Sequence, residues 1–407
     1  MGMAMKKKIL FMLINMNVGG TEKALLNMIR EMPRDQFEIT IFMLEEYGGF
    51  LDSIPKDVKV QYLQGFDQLK GMLSKPLHVI ALELLKKGKI MKALLYTYLY
   101  IDSKLKKENI LFYKYLLRNY PVERNEYDIA IAYAGPMDFI SYFIVHKVKA
   151  KEKLQWIHFD VTKIGFNKYF AAKMYKQMDK IFAVSKVGKE KLAAILPELN
   201  KKLDVYTNKV TKELVMSMAE SNLGFEDGFT GIRILTVGRL SKEKGQDLAI
   251  HVLAKLRSQG GNVRWYCIGD GPARREYERL IEAYQLEDDF VLLGSHSNPY
   301  PFMKQCDIYV QPSRHEGYCI TLAEVKCFDH PIISTNFTGA SEQLDNRKDS
   351  MIVDVDEEQL FYAILNVLNN EKMGLKTGET NKILKFAESS VQVKDMQTSC
   401  RKGVAFK

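Results

Sequence analysis

Short apolar segments alternate with helical segments along the second half of the sequence. Between the first two apolar segments, Leu248, Ala249, Val252, Leu253 and Leu256 recur at helical spacing. An alternation of this kind builds right-handed βαβ units, which assemble into a parallel sheet with helices on both faces. The strands predicted for this half are Ile232–Val237, Val263–Ile268, Phe290–Leu293, Ile308–Gln311, Ile332–Thr335 and Met351–Val353.

The first half begins in the same way, with a strand, a turn at Asn15–Gly20 and a helix at Thr21–Met32. The strands predicted here are Ile9–Ile14, Phe37–Met43, Ile129–Tyr133, Leu154–Ile157 and Ile181–Val184. A chain of 407 residues is too long for one ordinary core. We therefore predict an α/β protein with two Rossmann-like domains facing each other across a deep cleft, where the carboxyl ends of the strands bind the ligand.

The predicted boundaries follow this division. They are a first Rossmann-like domain at 1–207 with a basic and aromatic helical insertion at about 65–120, a linker at 208–230, a second Rossmann-like domain at 231–385, and a tail at 386–407 that is a candidate to pack back on the first domain.

Composition excludes several classes of protein. A hydrophobic content of 46% with 27% charged residues is that of a globular protein, and no apolar run reaches the ~20 residues of a membrane-spanning helix. The five cysteines form no C-x-x-C pair, and no His/Cys cluster has zinc spacing. We expect a cytoplasmic protein that requires no metal or cofactor. Asp354-Val355-Asp356 mimics a metal-binding motif, but a helix-capping turn is the better interpretation.

Two glutamates separated by seven residues follow the strand Ile308–Gln311, in the segment Arg314–Glu324. Carboxylates accept hydrogen bonds from sugar and ribose hydroxyls, so Glu316 and Glu324 are candidate ligands for both. The residues between them start a helix and offer backbone N–H groups to phosphate or hydroxyl oxygens. They are Gly317, Tyr318, Cys319, Ile320 and Thr321. A capping box formed by Thr321 and Glu324 is the structural alternative.

A second motif follows the strand Ile232–Val237. The loop Gly238–Gly245 carries Arg239 and Lys244 five positions apart, which can place two cations on one diphosphate. It lacks the spacing of a Walker A loop. A solvated charged loop is the alternative.

Together these motifs resemble the nucleotide-sugar domain of glycosyltransferase family 4, whose retaining enzymes have the GT-B architecture. The resemblance extends from about Ile232 to Leu344 and includes Ile268–Pro272 and Gly339-Ala340. It implies that Arg239 and Lys244 hold the diphosphate, that Glu316 binds the donor sugar, and that Glu324 binds the ribose.

The first half resembles the acceptor domain of the same family more loosely. Gly19-Gly20-Thr21-Glu22 matches a Gly-Gly-x-Glu helix start, and its glycines would let a ligand approach the backbone. His158 follows a strand where the family often has a histidine near the reacting carbon. A simple tight turn and a structural histidine are the alternatives. Thr207-Asn208-Lys209 departs from the Pro-Asn-Gly usual near the domain crossing.

The resemblance implies a retaining, metal-independent glycosyltransferase with a UDP-sugar as the favoured donor. The stretch from Lys70 to Arg118 carries eleven basic and three acidic residues with interleaved tyrosines. It suits an anionic membrane surface, and so a lipid-linked saccharide acceptor in cell-surface polysaccharide or capsule synthesis. A solvated helical hairpin is the alternative, and nucleic acid is not expected. A GT-B-type nucleotide-sugar epimerase and a non-catalytic GT-B partner subunit remain rival functions.

Overall fold

Two parallel β-sheets form the framework of this protein. The computed structural model describes residues 5–123, 125–221, 224–345 and 347–369, so the tail predicted at 386–407 lies outside the described residues. The chain separates into two compact units. Of the described residues, the first unit contains those up to Val215 together with His315–Glu324 and Phe337–Gln343, and the second contains the others.

The sheet of the first unit has seven strands in the order β3-β2-β1-β4-β5-β6-β7. The carboxyl-terminal halves of the central strands are apolar and buried, because helices cover both faces of a parallel sheet. Five of the strands overlap the predicted ones, although β4 and β5 begin three and five residues earlier than predicted, and the short strands β3 and β7 at the two edges were missed. The strands are β1 (Lys7–Leu13), β2 (Phe37–Met43), β3 (Lys59–Tyr62), β4 (Glu126–Ala132), β5 (Lys149–Ile157), β6 (Lys180–Ala183) and β7 (Leu203–Val205).

The sheet of the second unit has six strands in the order β10-β9-β8-β11-β12-β13. All of their pairings are parallel, and the predicted strands are confirmed with shifts of one residue at most. The strands are β8 (Ile232–Val237), β9 (Val263–Ile268), β10 (Phe290–Gly294), β11 (Ile308–Gln311), β12 (Ile332–Thr335) and β13 (Ser350–Val353). The prediction of two Rossmann-like α/β domains is therefore confirmed.

Helices connect most of the strands. In chain order they are α1 (Gly20–Glu31), α2 (Phe66–Ser74), α3 (Leu77–Lys86), α4 (Ile90–Leu105), α5 (Ile110–Leu116), α6 (Asp138–Lys147), α7 (Lys168–Tyr175), α8 (Lys186–Ile195), α9 (Lys212–Ala219), α10 (Gln246–Ser258), α11 (Arg274–Ala283), α12 (Tyr300–Gln305), α13 (Ile320–Val325), α14 (Ala340–Leu344) and α15 (Glu357–Asn369). Helices α2 to α5 stand between β3 and β4, in the range of about 65–120 where the sequence predicts a helical insertion. Tyr96 and Tyr113 of this stretch are buried in the core of the first unit.

The order of the strands reverses next to β1 in the first sheet and next to β8 in the second. Parallel sheets bind ligands at such points, outside the carboxyl ends of the strands. Gly19 and Gly20 follow β1, and Arg239 and Lys244 follow β8. The paired glutamates follow β11, which is the neighbour of β8. Topology therefore places the predicted motifs where ligands bind in folds of this type.

None of the helices in the described ranges is both long and apolar enough to cross a lipid bilayer.

Candidate active site

The loop after β8 is held in place by the loop after β9. Gly269 has φ of 143°, and a Cβ atom on it would lie 2.0 Å from the carbonyl oxygen of Gly238. A Cβ on Gly271 would likewise lie 2.4 Å from the carbonyl oxygen of Leu240. Only glycine permits this approach of two backbones. The Gly-Asp-Gly segment noted in the sequence is therefore a support for the loop that carries the two cations.

Arg314 fixes the same loop from a second side. Its guanidinium donates to both carboxylate oxygens of Asp247, at 2.8 and 2.6 Å, and to the carbonyl oxygen of Lys242 at 2.7 Å. Burial alone would raise the pKa of Asp247, but the Arg314 guanidinium lowers it, so this carboxylate stays ionised. The buried Gln246 donates to the carbonyl oxygen of Arg239 at 3.0 Å. Bidentate charged contacts of this kind hold a loop in one geometry.

The two predicted cations thus stand on a loop of fixed backbone. Arg239 is exposed, and Lys244 is half-buried with its side chain passing Gly238. A Cβ on Gly238 would lie 3.8 Å from Cδ of Lys244, an ordinary van der Waals distance, so the lysine stem packs along this part of the loop. The contacts of Arg314 and Gln246 set this loop apart from an unsupported charged loop.

In the first unit, the glycine of the paired-glutamate motif packs against the residue after β5. A Cβ on Gly317 would lie 1.9 Å from the carbonyl oxygen of His158. Gly339, with φ of 84°, packs on Gly317 in turn. Gly20 adjoins the side chain of Ile320, because a Cβ on it would lie 3.3 Å from Cγ2. The structure therefore brings together residues predicted from distant motifs.

The remaining donor-binding candidates lie around this contact. Gly19 is the N-cap residue of α1 in extended conformation. Tyr318 is half-buried, and its carbonyl oxygen accepts a hydrogen bond from Gln343. Cys319 has φ of 63°, and its Sγ lies 3.2 Å from Oγ1 of Thr321. The positive φ at Cys319 turns the backbone between the loop and the start of α13 at Ile320.

His158 lies in an aromatic pocket and is 7% exposed. Its ring centroid is 4.6 Å from that of Tyr133. Burial lowers the pKa of His158 to about 3, and a hydrogen bond with the backbone of Tyr133 opposes the shift only in part. The imidazole is therefore neutral at neutral pH. Its Nε2 has no hydrogen-bond partner among the described residues, which is consistent with a nitrogen kept for a ligand.

This burial predicts a pH-dependent stability. An unfolded histidine titrates near pH 6.5, whereas His158 in the fold titrates near pH 3. Below pH 6.5 the unfolded chain therefore binds a proton that the folded chain cannot bind, and stability is lost as the pH falls, by about 1.4 kcal/mol per unit. Replacing His158 by Phe should remove this component. Urea unfolding of both proteins at pH 7 and pH 5.5 measures it, and a difference between them that does not change with pH would contradict the burial.

Glu324 is fully buried in α13 and forms an ion pair with Lys23 of α1, with Nζ to Oε1 at 2.8 Å. The helix begins at Ile320, after the positive φ of Cys319, so Thr321 lies inside it and not at its N-cap. The capping-box alternative is therefore wrong. Glu316, on the loop before the helix, is half-buried. The two glutamates therefore lie in different environments, since Glu324 is buried and ion-paired and Glu316 is half-buried.

Sequence reasoning missed a second polar cluster. Asp160 is 3% exposed and accepts hydrogen bonds from Lys191, Thr338 and Thr162, each at 2.6 Å. Burial alone would raise the pKa of Asp160, but these donors lower it well below its usual range. Both carboxylate oxygens of Glu342 also accept from the first backbone N–H groups of α8, at 3.0 and 2.8 Å. The sequence patterns single out none of these residues, although Asp160 stands only two positions after His158.

Asp354 and Asp356 form the predicted capping turn. Asp356 Oδ1 accepts from the backbone N–H of Gln359 at 2.9 Å, and the Gln359 side chain accepts from the backbone N–H of Asp354 at 3.0 Å. These contacts start α15. Across the described part of the chain, no group of three or more His, Cys, Asp or Glu residues is arranged to hold a metal ion.

Part of this sequence matches a known family of proteins. Residues 229–383 match the family model described as glycosyl transferases group 1, which is less than half of the chain. A curated relative, the N-acetylgalactosamine-N,N'-diacetylbacillosaminyl-diphospho-undecaprenol 4-alpha-N-acetylgalactosaminyltransferase of Campylobacter jejuni, is 28% identical over 51% of this chain and 55% of its own length. The chain spans about half the length of the curated relatives it matches.

Solved structures share the fold over nearly the whole chain. Alr3699/HepE of Anabaena, in complex with UDP, has a TM-score of 0.62 at 16% identity and covers 98% of this chain and 100% of its own. S. aureus TarM, in a complex that includes UDP, has a TM-score of 0.62 at 14% identity over 90% of this chain and 94% of its own. The family match and the shared fold together support a glycosyltransferase with two Rossmann-like domains, the GT-B fold.

Proposed function

We propose that this chain is a retaining, metal-independent glycosyltransferase of family 4. Its donor would be a nucleotide diphosphate sugar, with UDP favoured, and its acceptor a lipid-linked saccharide in cell-surface polysaccharide synthesis. The observation that carries the proposal is the loop after β8 with Arg239 and Lys244, whose backbone is held by hydrogen bonds from Gln246 and Arg314. This loop lies within residues 229–383, the part that matches glycosyl transferases group 1.

The proposed reaction joins the acceptor oxygen to the anomeric carbon and breaks the bond from that carbon to the diphosphate oxygen on the same face. The acceptor proton passes to an oxygen of the departing diphosphate, so charge and atoms balance without a further reactant. Negative charge grows on the diphosphate as the bond breaks. Fixed cations aimed at that charge stabilise the transition state more than the ground state, and this is the role proposed for Arg239 and Lys244.

The donor sugar is assigned to Glu316 and His158. A carboxylate accepts hydrogen bonds from paired hydroxyl donors, which suits Glu316 to the sugar. The neutral His158 would offer Nε2 to a sugar hydroxyl, because its low pKa leaves it without the charge that would repel a cation-like anomeric carbon. Glu324 is assigned to the ribose hydroxyls, and Lys23 orients its carboxylate.

The proposed acceptor rests on two separate observations. The Campylobacter jejuni relative carries diphospho-undecaprenol in the name of its substrate, which is a lipid-linked saccharide. The stretch 70–118 of the present chain has an excess of eight positive charges, which suits an anionic membrane surface. An enzyme held at such a surface would meet its acceptor there.

A thermal-shift panel of UDP, GDP and ADP, with their glucose derivatives, tests the donor. We expect UDP to raise the melting temperature more than GDP or ADP does, because the ligand with the lowest Kd stabilises the folded state most. A ligand at 100 times its Kd stabilises the folded state by about 2.7 kcal/mol. Addition of EDTA should leave that shift unchanged. A larger shift with GDP or ADP would overturn the assignment of UDP, and loss of the shift in EDTA would overturn metal independence.

Analysis of the products formed without an acceptor would distinguish a transferase from the epimerase alternative. An epimerase converts a nucleotide sugar with no acceptor, whereas a transferase consumes the donor in proportion to the acceptor that it glycosylates. The intact set of Arg239, Lys244, Glu316 and Glu324 argues against a non-catalytic partner subunit.

A further inference from the structure

Helix α4 has two apolar faces, although a helix at a protein surface needs only one. Ala93, Tyr96 and Leu99 form the buried face, which packs into the core of the first unit. A second set recurs at spacings of three and four residues and faces outward with exposed fractions between 46% and 78%. This exposed stripe consists of Met91, Leu94, Tyr98, Ile101 and Leu105.

The stripe belongs to a larger apolar patch on α3 to α5. Of the nineteen large hydrophobic side chains that are exposed in the described ranges, ten lie between Leu82 and Leu111. An apolar groove of about 560 Å³ adjoins the stripe, with Leu95 and Tyr115 in its lining. Single exposed apolar residues are common on protein surfaces, but a concentration of this size indicates a surface that binds another protein or a membrane.

Positive charge surrounds the patch. Lys86 ends α3, Lys87 and Lys89 lie in the turn before α4, and Lys92 lies in the first turn of α4; all four are exposed. Lys92 and Arg118 also line the apolar groove. An apolar stripe bordered by lysines is the pattern of a helix that lies in the plane of a membrane interface, with its apolar side chains below the headgroups and its cations among them.

We propose that the exposed stripe of α4 inserts into the headgroup and acyl boundary of a bilayer that contains anionic lipids. The stripe extends for about 20 Å along the helix, long enough for one continuous contact. A second copy of this chain fits the patch poorly, because exposed lysines stand at both ends of α4 and a symmetric contact would bring lysines of the two copies together in either orientation of the helices. Lys104, Lys106 and Lys107 are those at the second end. The inference rests on the proposed function only in treating the membrane as the source of the acceptor.

Sedimentation with vesicles tests the inference. The intact protein should bind phosphatidylglycerol vesicles at low ionic strength and stay partly bound at high ionic strength, since salt screens charge contacts but not apolar insertion. The stripe variant replaces Met91, Leu94, Ile101 and Leu105 by Gln, which preserves helix propensity. It should bind at low ionic strength and be released as salt rises, with about tenfold weaker binding at high salt.

A charge variant and its matched control complete the design. Replacing Lys86, Lys87, Lys89 and Lys92 by Gln should weaken binding at low ionic strength about tenfold or more. The control replaces four exposed lysines of the same unit that lie outside the patch, and it should bind like the intact protein. These are Lys56, Lys176, Lys180 and Lys201.

Three results would overturn the inference: no binding to phosphatidylglycerol vesicles, a stripe variant equal to the intact protein at every ionic strength, or a dimer that the stripe variant converts to monomer. The thermal shift with UDP is measured on the same proteins and should be equal in all of them. Failure of membrane insertion and failure of the proposed donor chemistry are therefore seen in different measurements.

Discussion

Replacement of Arg239 or Lys244 by Ala should lower turnover by about 10²- to 10³-fold with the donor saturating. In the proposed mechanism, each cation stabilises charge that grows on the diphosphate only as the bond to the sugar breaks. Loss of either cation should therefore raise the activation barrier of the transfer step more than it weakens binding of the donor. Release of the nucleotide diphosphate, followed with the donor identified by the thermal-shift panel, measures the effect.

Lys242 supplies the matched control, because it lies in the same loop between the two cations. Its side chain is exposed and pairs with Glu276 at 3.3 Å. Only its backbone carbonyl oxygen, which an alanine retains, accepts from Arg314. Lys242→Ala should therefore keep near-normal turnover. Equal losses in all three variants would point to a disturbed loop, and normal turnover in the Arg239 and Lys244 variants would remove their assignment.

Glu324→Gln should lower both the stability of the protein and its affinity for the nucleotide. Lys23 would lose a buried carboxylate 2.8 Å away, and the loss of one member of a buried ion pair costs about 3 kcal/mol or more. Loss of a charged acceptor for ribose hydroxyls should weaken nucleotide binding about tenfold or more. Denaturant unfolding and calorimetric titration with UDP measure the two effects separately.

A double variant separates the two roles of Glu324. Replacing both Lys23 and Glu324 by Met removes the ion pair together with its desolvation cost, so much of the stability should return. Nucleotide affinity should stay low, because no carboxylate faces the ribose. Recovery of both properties would make Glu324 a structural partner of Lys23 alone. Glu220→Gln, which breaks an exposed pair with Lys304, should change neither property measurably.

The sequence predicts the strands well and the edges of the first sheet poorly. Val263–Ile268 and Ile308–Gln311 are buried on both faces, and so appear as continuous apolar runs. Lys59–Tyr62 and Leu203–Val205 are short edge strands in which exposed and polar residues interrupt the pattern. An edge strand pairs on one side only, so its sequence carries less of the apolar signal.

The motifs of the site were found from local sequence, but their partners were not. Glu324 comes 301 positions after Lys23, and so no local pattern connects them. The same holds for Asp160 and Thr338, which meet through a hydrogen bond of 2.6 Å. Periodicity reports which face of an element is buried, whereas the choice of a polar partner depends on the tertiary fold. Arg314 was visible as the first residue of its motif, although its bond to Asp247 was not.

The composition of the first unit has a consequence for how the chain acquires its structure during synthesis. Although most of this unit precedes Val215, it also contains His315–Glu324 and Phe337–Gln343. A nascent chain released only as far as Val215 therefore lacks Thr338 and Glu342, which bind Asp160 and the start of α8. At typical translation rates the intervening residues take on the order of 10 s to appear. The first unit therefore cannot complete its native structure until these later residues have been synthesised.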